Sequence, residues 1–256
     1  MVVTRIPPII GLLYVIVGIP LVAYLWYKGK FSRKIGIALT VLSIVLGFLI
    51  FSPMAPFQLQ ALVLNDIKAL GVPIAAAALV LLAFIIVVLI TGRIFCGYLC
   101  PIGALQEFAY DVPVKKVKVP QKHALIAIRL IVLLIFLAAA FFFSISMLAY
   151  FGIQQFFYLT VASIFFFVFL GILIISLVVY RPFCRLICPL GVFYSLAALV
   201  SLFKLRRTQA CTDCKKCEVA CPTNEAKRGD AKGECYLCGR CVDTCPVKGA
   251  LSYRRT

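Results

Sequence analysis

The sequence predicts an all-α membrane domain of several spans, followed by a small cysteine-rich α+β domain. Three observations support this division. Of the 256 residues, 64% are hydrophobic and the mean hydropathy is +1.08, which is more apolar surface than a soluble domain of this length exposes. An eleven-residue motif occurs twice in the apolar part of the chain. Eight of the 12 cysteines lie after residue 210.

The apolar part contains five segments close to the length that crosses a bilayer, which is about 20 residues. They are residues 6–27, 35–51, 72–91, 124–147 and 156–180. The first is too long for a signal-peptide core and has no small-residue cleavage site, so an uncleaved span is predicted. Residues 190–203 are too few to span and predict a short interfacial helix. We therefore assign residues 1–207 to the membrane domain.

The basic residues follow the membrane topology. Residues 1–207 contain 17 Lys and Arg but only three acidic residues, and the cations flank alternate apolar segments. Because cations concentrate in cytoplasmic loops, a multi-pass inner-membrane protein is predicted, with its N-terminus outside and its C-terminus in the cytoplasm. A net charge of +17 distributed in this way does not indicate nucleic-acid binding. The expected partner of these residues is membrane lipid.

The C-terminal cysteines form two runs of the pattern Cys-x2-Cys-x2-Cys-x3-Cys-Pro. This spacing is typical of bacterial two-cluster ferredoxins, in which the fourth cysteine of each run binds the other cluster. The predicted ligands are Cys211, Cys214, Cys217 and Cys245 for the first [4Fe–4S] cluster, and Cys235, Cys238, Cys241 and Cys221 for the second. Zinc modules also use Cys-x2-Cys pairs, but two identical runs favour clusters. Residues 208–256 are therefore predicted to form a bacterial-type ferredoxin domain in the reducing cytoplasm.

The repeated motif adds two cysteine pairs at the ends of apolar segments. Residues 93–103 read RIFCGYLCPIG and residues 181–191 read RPFCRLICPLG, with six matching positions at an offset of 88 residues. Each copy follows a segment that runs toward the cytoplasm, so the repeat is parallel and both copies lie at one membrane face. An i, i+4 cysteine pair on a helical turn points both thiols the same way.

Four thiolates from two such pairs suit iron or zinc. The four residues are Cys96, Cys100, Cys184 and Cys188. Beside a ferredoxin domain we favour an iron–sulfur centre, and the alternatives are a redox-active or regulatory dithiol, a structural metal site and unliganded thiols. A bis-histidine haem is excluded within the chain, because His123 is its only histidine.

Three arginines are candidates for a catalytic role, although no catalytic residue is identified outright. Arg93 and Arg181 each precede the first cysteine of a pair by three residues. A guanidinium there offsets cluster charge or holds a quinone carbonyl, or it anchors the helix by snorkelling. Arg129 lies two turns into the fourth segment, where a charge is costly and is expected to face the protein interior or to snorkel.

Several spans, two Cys-x3-Cys-Pro motifs at cytoplasmic helix ends and a two-cluster ferredoxin together resemble the NapH-type membrane polyferredoxins over residues 72–250. Similar membrane modules occur in NosR and in cytochrome-oxidase assembly proteins. The resemblance implies a quinol dehydrogenase subunit, an oxidoreductase that passes electrons between the quinone pool and other redox subunits of a complex. It implies functional roles for the four cysteines of the repeats. It also implies four spans, so residues 6–27 form an additional one.

Two other functions fit the same cysteines. One is a transmembrane conduit in a larger complex, which would need a partner to carry electrons across the ~30 Å core. The other is an assembly reductase that delivers electrons to copper or to oxidised thiols.

Overall fold

The computed structural model describes residues 9–51, 55–65, 73–118, 122–144 and 146–255. The helices are α1 (Ile9–Tyr27), α2 (Arg33–Ile50), α3 (Ala55–Val63), α4 (Ile74–Thr91), α5 (Pro101–Asp111), α6 (Lys122–Phe143), α7 (Met147–Tyr150), α8 (Ile153–Phe157), α9 (Ile164–Ser176), α10 (Pro189–Leu199), α11 (Lys216–Ala220) and α12 (Arg240–Asp243). The strands are β1 (Phe203–Arg207) and β2 (Leu251–Arg255). Two π turns, Phe95–Leu99 and Phe183–Ile187, precede α5 and α10.

Four helices of the described chain are long and apolar enough to cross a membrane. They are α1, α2, α4 and α6, with candidate spans Ile10–Tyr27, Arg33–Ile50, Ile74–Thr91 and Leu125–Phe143. Their outward side chains are apolar and exposed, for example Leu134 at 66% and Phe142 at 83%. Exposed apolar surface of this extent is stable against lipid rather than water. The predicted fold class, an all-α multi-span domain joined to a small ferredoxin domain, is confirmed.

The fifth predicted span is wrong as a single helix. Residues 156–180 contain the end of α8, a turn and the 13-residue helix α9. The turn includes Leu159 in a left-handed conformation, with φ of 54°. Phe156 and Phe157 pack against Phe169, which folds α8 back onto α9. At 1.5 Å per residue α9 is about 20 Å long, shorter than the ~30 Å hydrocarbon core.

The helix ends show how the spans run relative to the ferredoxin domain. The Tyr253 hydroxyl in β2 donates to the carbonyl oxygen of Thr91 at the end of α4, at 2.7 Å. The ring of Trp26, near the end of α1, lies 3.8 Å from the position of a Cβ on Gly239. Helices α1 and α4 therefore run toward the ferredoxin domain. This agrees with the relative directions expected from the loop charges, and the side of the membrane that the domain faces stays a prediction.

The ferredoxin sheet begins before the predicted domain boundary. Strand β1 pairs antiparallel with β2, with Phe203 opposite Arg255 and Arg207 opposite Leu251. The division between residues 1–207 and 208–256 therefore separates β1 from its partner strand. Helix α10 lies where the short helix over 190–203 was predicted, but it ends at Leu199 and buries one side in the core.

Candidate iron–sulfur centres

The two Cys-x3-Cys-Pro motifs have the same backbone structure. In each motif a π turn carries the first cysteine, and the second cysteine is the N-cap of a helix that begins with proline. The Cys100 amide donates to the Phe95 carbonyl at 2.9 Å, and the Cys188 amide donates to the Phe183 carbonyl at the same distance. The turn is thus a π turn where an ordinary helical turn was expected. Proline suits the first helical position, since an N–H there would have no helical partner.

Two matched glycines allow each short helix to begin against its own first cysteine. A Cβ at Gly103 would lie 2.5 Å from the carbonyl oxygen of Cys96, and a Cβ at Gly191 would lie 2.7 Å from that of Cys184. Both distances are shorter than a van der Waals contact. The atom in each case is a backbone oxygen, which cannot easily move. Glycine at this position of the repeat is therefore required by the close approach of two backbone segments.

The two motifs meet at one cavity, which we call the membrane-face cavity. It is lined by Cys96, Cys100, Cys184 and Cys188, the four cysteines that the repeat predicted as a site. All four are free thiols. The other walls are mainly apolar or aromatic side chains, including Phe95, Ile102, Phe183, Leu190 and Tyr194. The structure thus brings the four thiols together, and their binding of a cofactor stays a prediction.

The eight ferredoxin cysteines line two further cavities. The first is lined by Cys211, Cys214, Cys217 and Cys245. The second is lined by Cys221, Cys235, Cys238 and Cys241. Each cavity therefore combines three cysteines of one run with the fourth cysteine of the other, which is the crossed grouping that the spacing predicts.

The donor sets suit clusters better than single metal ions. In the part of the chain that the structure describes, no three His, Cys, Asp or Glu side chains form a group that could hold one ion. Zinc draws its sulfur ligands to about 2.3 Å from one point, whereas a cluster binds each thiolate through a different iron. Two buried donors beside the membrane-face cavity, the Tyr194 hydroxyl and Nη2 of Arg93, also have no hydrogen-bond partner among the described residues. Cluster sulfurs would accept such hydrogen bonds.

The thiols of the membrane-face cavity are poor nucleophiles when they bind no metal. Burial raises the pKa of Cys184 to about 11, although Arg181 acts in the opposite direction. Burial also raises the pKa of Cys100 and of Cys188. A redox-active dithiol needs a thiolate with a lowered pKa and access to solvent. This environment therefore does not favour the dithiol alternative.

The candidate residues Arg93 and Arg181 are fully buried, so neither is a snorkelling anchor. Nη2 of Arg181 lies 2.7 Å from Oε2 of Glu107 and 2.8 Å from the Gly97 carbonyl oxygen. This arginine comes from the second repeat, and both of its partners come from the first. The ion pair therefore joins the two repeats beside the cavity.

Arg93 and Arg129 share a carboxylate of the ferredoxin domain. Oε1 of Glu234 lies 3.2 Å from Nη1 of Arg93 and 2.6 Å from Nη1 of Arg129. Nε of Arg129 also donates to the Arg185 carbonyl at 2.8 Å, so this intramembrane cation faces the protein interior. Burial alone would raise the pKa of Glu234, but Arg93 and Arg129 outweigh that effect and lower the pKa to about 2. The catalytic role suggested for the three arginines stays a prediction.

Sequence reasoning missed both Glu234 and Tyr236. The centre of the Tyr236 ring lies 4.2 Å from the guanidinium carbon of Arg93 and 4.8 Å from that of Arg181. Tyr236 also packs with Tyr180 in a small aromatic cluster that contacts Cys96. It therefore separates the second ferredoxin cavity from the membrane-face cavity. The cysteine spacing gives no signal for either residue, and the side chain of His123 lies outside the described residues.

Comparison with known proteins identifies the family. Residues 73–120 and again residues 161–208 match a family described as a 4Fe-4S binding domain. The two matches begin 88 residues apart, so they coincide with the repeats that line the membrane-face cavity. The uncharacterized protein MJ0750 of Methanocaldococcus jannaschii is 34% identical over 186 residues, which cover 68% of this chain and 76% of that protein. The chain belongs to this 4Fe–4S binding family.

Two further relatives are named as a putative electron transport protein and a regulatory protein. The putative electron transport protein YccM of Escherichia coli is 31% identical over 199 residues, 70% of this chain and 56% of YccM. The regulatory protein NosR of Pseudomonas aeruginosa is 30% identical over 180 residues, 60% of this chain and 24% of NosR. The predicted relation to NosR is therefore confirmed, although the chain spans only about a quarter of that protein. No solved structure matches the chain.

Proposed function

We propose that this protein passes electrons between the membrane quinone pool and a partner redox enzyme, as a quinol dehydrogenase subunit of the NapH type. The membrane-face cavity is the observation that carries the proposal. Its four cysteines come from two repeats, the first of which follows the candidate span α4, and the cavity adjoins the ferredoxin domain. Membership of a 4Fe–4S binding family and similarity to a putative electron transport protein support an electron-transfer role.

We assign one iron–sulfur centre to each of the three four-cysteine cavities. The ferredoxin ligands are those that line its two cavities, and the third centre would use Cys96, Cys100, Cys184 and Cys188. A cluster bound in each cavity supplies one-electron chemistry. The family match supports the third centre, because it covers the segments that contain these four cysteines.

The surrounding residues exclude water and balance charge. Tyr180 and Tyr236 are each 2% exposed and form the aromatic wall between the second ferredoxin cavity and Cys96. The fully buried guanidinium groups of Arg93 and Arg181 both lie within 5 Å of the centre of the Tyr236 ring. Their positive charges offset the negative charge that four thiolates bring to each centre. A dry, aromatic contact of this kind favours electron exchange over side reactions with solvent.

The first ferredoxin cavity is the proposed point of contact with the partner enzyme. Cys214 on its wall is exposed, and Val219 in the adjacent helix α11 is 73% exposed. The second cavity, in contrast, has Tyr180 of the membrane domain in its wall. We therefore place the quinone pool at the membrane side of the chain and the partner enzyme at the first cavity, on the cytoplasmic side of an inner membrane.

Counting iron and acid-labile sulfide on anaerobically purified protein tests this proposal. Two [4Fe–4S] clusters account for about eight irons per chain, so we expect a clear excess over eight. Replacing Cys96, Cys100, Cys184 and Cys188 with Ser removes the excess and stops reduction of the ferredoxin clusters by quinol.

A matched control replaces the four cysteines of the first ferredoxin cavity with Ser. This variant is expected to lose about four irons and to keep the iron of the membrane-face centre. The relay role is contradicted if the variant without membrane-face cysteines oxidises quinol at the wild-type rate. A count of eight irons per chain, both in the wild type and in the variant without membrane-face cysteines, contradicts the third centre.

A further inference from the structure

A hydroxyl without a partner lies at the membrane-face cavity. Tyr194, on helix α10, lines the cavity and is 1% exposed. Its oxygen has no hydrogen-bond partner within the described chain. Buried hydroxyl groups in folded proteins nearly always have a partner, because leaving one unpaired costs free energy. The unpaired hydroxyl therefore indicates an acceptor that the polypeptide itself does not supply.

The first repeat shows what lies opposite this position. Gln106 is the equivalent of Tyr194, since the two are 88 residues apart. Nε2 of Gln106 donates to Sγ of Cys184 at 3.2 Å, and Oε1 accepts from the Phe183 amide at 3.0 Å. The short helix of the first repeat thus directs a donor at the first cysteine of the second repeat.

The same relation applied to the second repeat directs Tyr194 at the first cysteine of the first. That residue is Cys96, which lines the same cavity as Tyr194, together with Cys100 and Cys188. The side chain of tyrosine is longer than that of glutamine. Its hydroxyl therefore extends farther from its helix than the side-chain amide of Gln106, and it belongs to a residue that lines the four-thiol cavity.

We propose that the Tyr194 hydroxyl donates a hydrogen bond to a sulfur of the iron–sulfur centre held by the membrane-face cysteines and thereby raises its reduction potential. This inference rests on the proposed function, because it requires a cluster in that cavity. Reduction adds one electron to the centre and increases the negative charge on its sulfurs, so a donor stabilises the reduced state more than the oxidised state. The tyrosine keeps its proton, and no covalent bond forms or breaks.

The test is a redox titration of the anaerobically purified protein, followed by electron paramagnetic resonance. Tyr194→Phe removes the hydroxyl and keeps the ring, and we expect a lower midpoint potential for the membrane-face centre with an unchanged iron count. The signals of the two ferredoxin clusters serve as internal references and should not shift. Tyr194→Gln places the residue of the first repeat at this position and should keep the potential nearer the wild-type value.

Tyr14→Phe is the matched control, because it removes a hydroxyl of helix α1 that lies 2.8 Å from Oγ of Ser43 and does not line the cavity. It should leave the potential of the membrane-face centre unchanged. An unchanged potential in Tyr194→Phe, with the iron count intact, overturns the inference while the proposed function stands. A wild-type protein with only the two ferredoxin signals overturns both together.

Discussion

The first repeat presents Gly97 and Tyr98 on its π turn, whereas the equivalent residues of the second repeat are Arg185 and Leu186. A Cβ at Gly97 would lie 2.5 Å from the carbonyl oxygen of Tyr236 in the ferredoxin domain. The Tyr98 hydroxyl donates to the carbonyl of Leu237, at 2.6 Å. The ferredoxin loop therefore rests on the π turn of the first repeat, and the second repeat offers neither contact.

The two repeats also differ in their acidic residues. Glu107 of the first repeat pairs with Arg181 of the second. The equivalent of Glu107 is Ser195, and the carboxylate that pairs with Arg93 comes instead from Glu234 of the ferredoxin domain. The repeats thus match where they build the four-thiol cavity and differ where they receive the ferredoxin domain. The residues that the two repeats share form the membrane-face cavity, and the residues in which they differ orient the ferredoxin domain beside it.

The largest effect is expected at the carboxylate that the second repeat lacks. Glu234→Gln leaves Arg93 and Arg129 buried without their counter-charge, and removing one partner of a buried ion pair costs about 3–5 kcal/mol. We expect this loss in the free energy that holds the ferredoxin domain against the repeats. Hydrogen exchange of the amides around Tyr236 in detergent micelles measures it as lost protection.

Moving the carboxylate to the second repeat separates its role as a counter-charge from its role as a link to the ferredoxin domain. Ser195→Glu combined with Glu234→Gln places an acid at the equivalent of Glu107, where Oγ of Ser195 already lies 2.8 Å from Nη1 of Arg129. The double variant restores a counter-charge to the arginines but not the link to the ferredoxin domain, so protection around Tyr236 should stay low. Glu218→Gln is the control, because Glu218 pairs with Arg207 away from the repeats. Full protection in Glu234→Gln would show that the borrowed carboxylate does not hold the domain.

A smaller effect is expected at the π turn of the first repeat. Gly97→Ala introduces a Cβ against the Tyr236 carbonyl, and overpacking of this kind costs about 1–3 kcal/mol. The cluster-binding loop must shift, so we expect a weaker contact between Tyr236 and Arg93 and faster exchange of the loop amides. Gly171→Ala is the control, since nothing lies within 4 Å of a Cβ there. Equal exchange in both variants would contradict the assigned role of Gly97.

The parts of the site that the sequence predicted depend on short-range spacing. The crossed grouping of the ferredoxin cysteines follows from two identical runs, and the membrane-face cavity follows from a repeat at a constant offset. The role of Glu234 could not be predicted, because its partners Arg93 and Arg129 lie 141 and 105 residues away in the chain. The sequence around Glu234 contains no pattern from which partners so far away in the chain could be predicted.

Each error in the predicted fold has a specific physical cause. Apolar residues continue through 156–180, so hydropathy gives no sign of the turn at Leu159 that aromatic packing stabilises. The π turns were missed because one extra residue in a turn leaves the cysteine spacing unchanged. Strand β1 was counted with the membrane domain because its partner, β2, lies more than 40 residues later. Composition distinguishes the membrane domain from the ferredoxin domain, but contacts between distant segments decide where each helix and each domain ends.

The smallest expected effect concerns one hydrogen bond that only the first repeat makes. Tyr98→Phe removes the bond to the Leu237 carbonyl and keeps the ring, and the net loss of such a bond is about 1 kcal/mol. The equivalent residue, Leu186, makes no such bond, so Leu186→Ala should leave the exchange of the Leu237 region unchanged. If the two variants altered that exchange equally, the ferredoxin loop would not distinguish the repeats. If only Tyr98→Phe altered that exchange, the first repeat would hold the ferredoxin loop in two ways. One is the hydrogen bond to the backbone of the loop, and the other is the ion pair with Glu234.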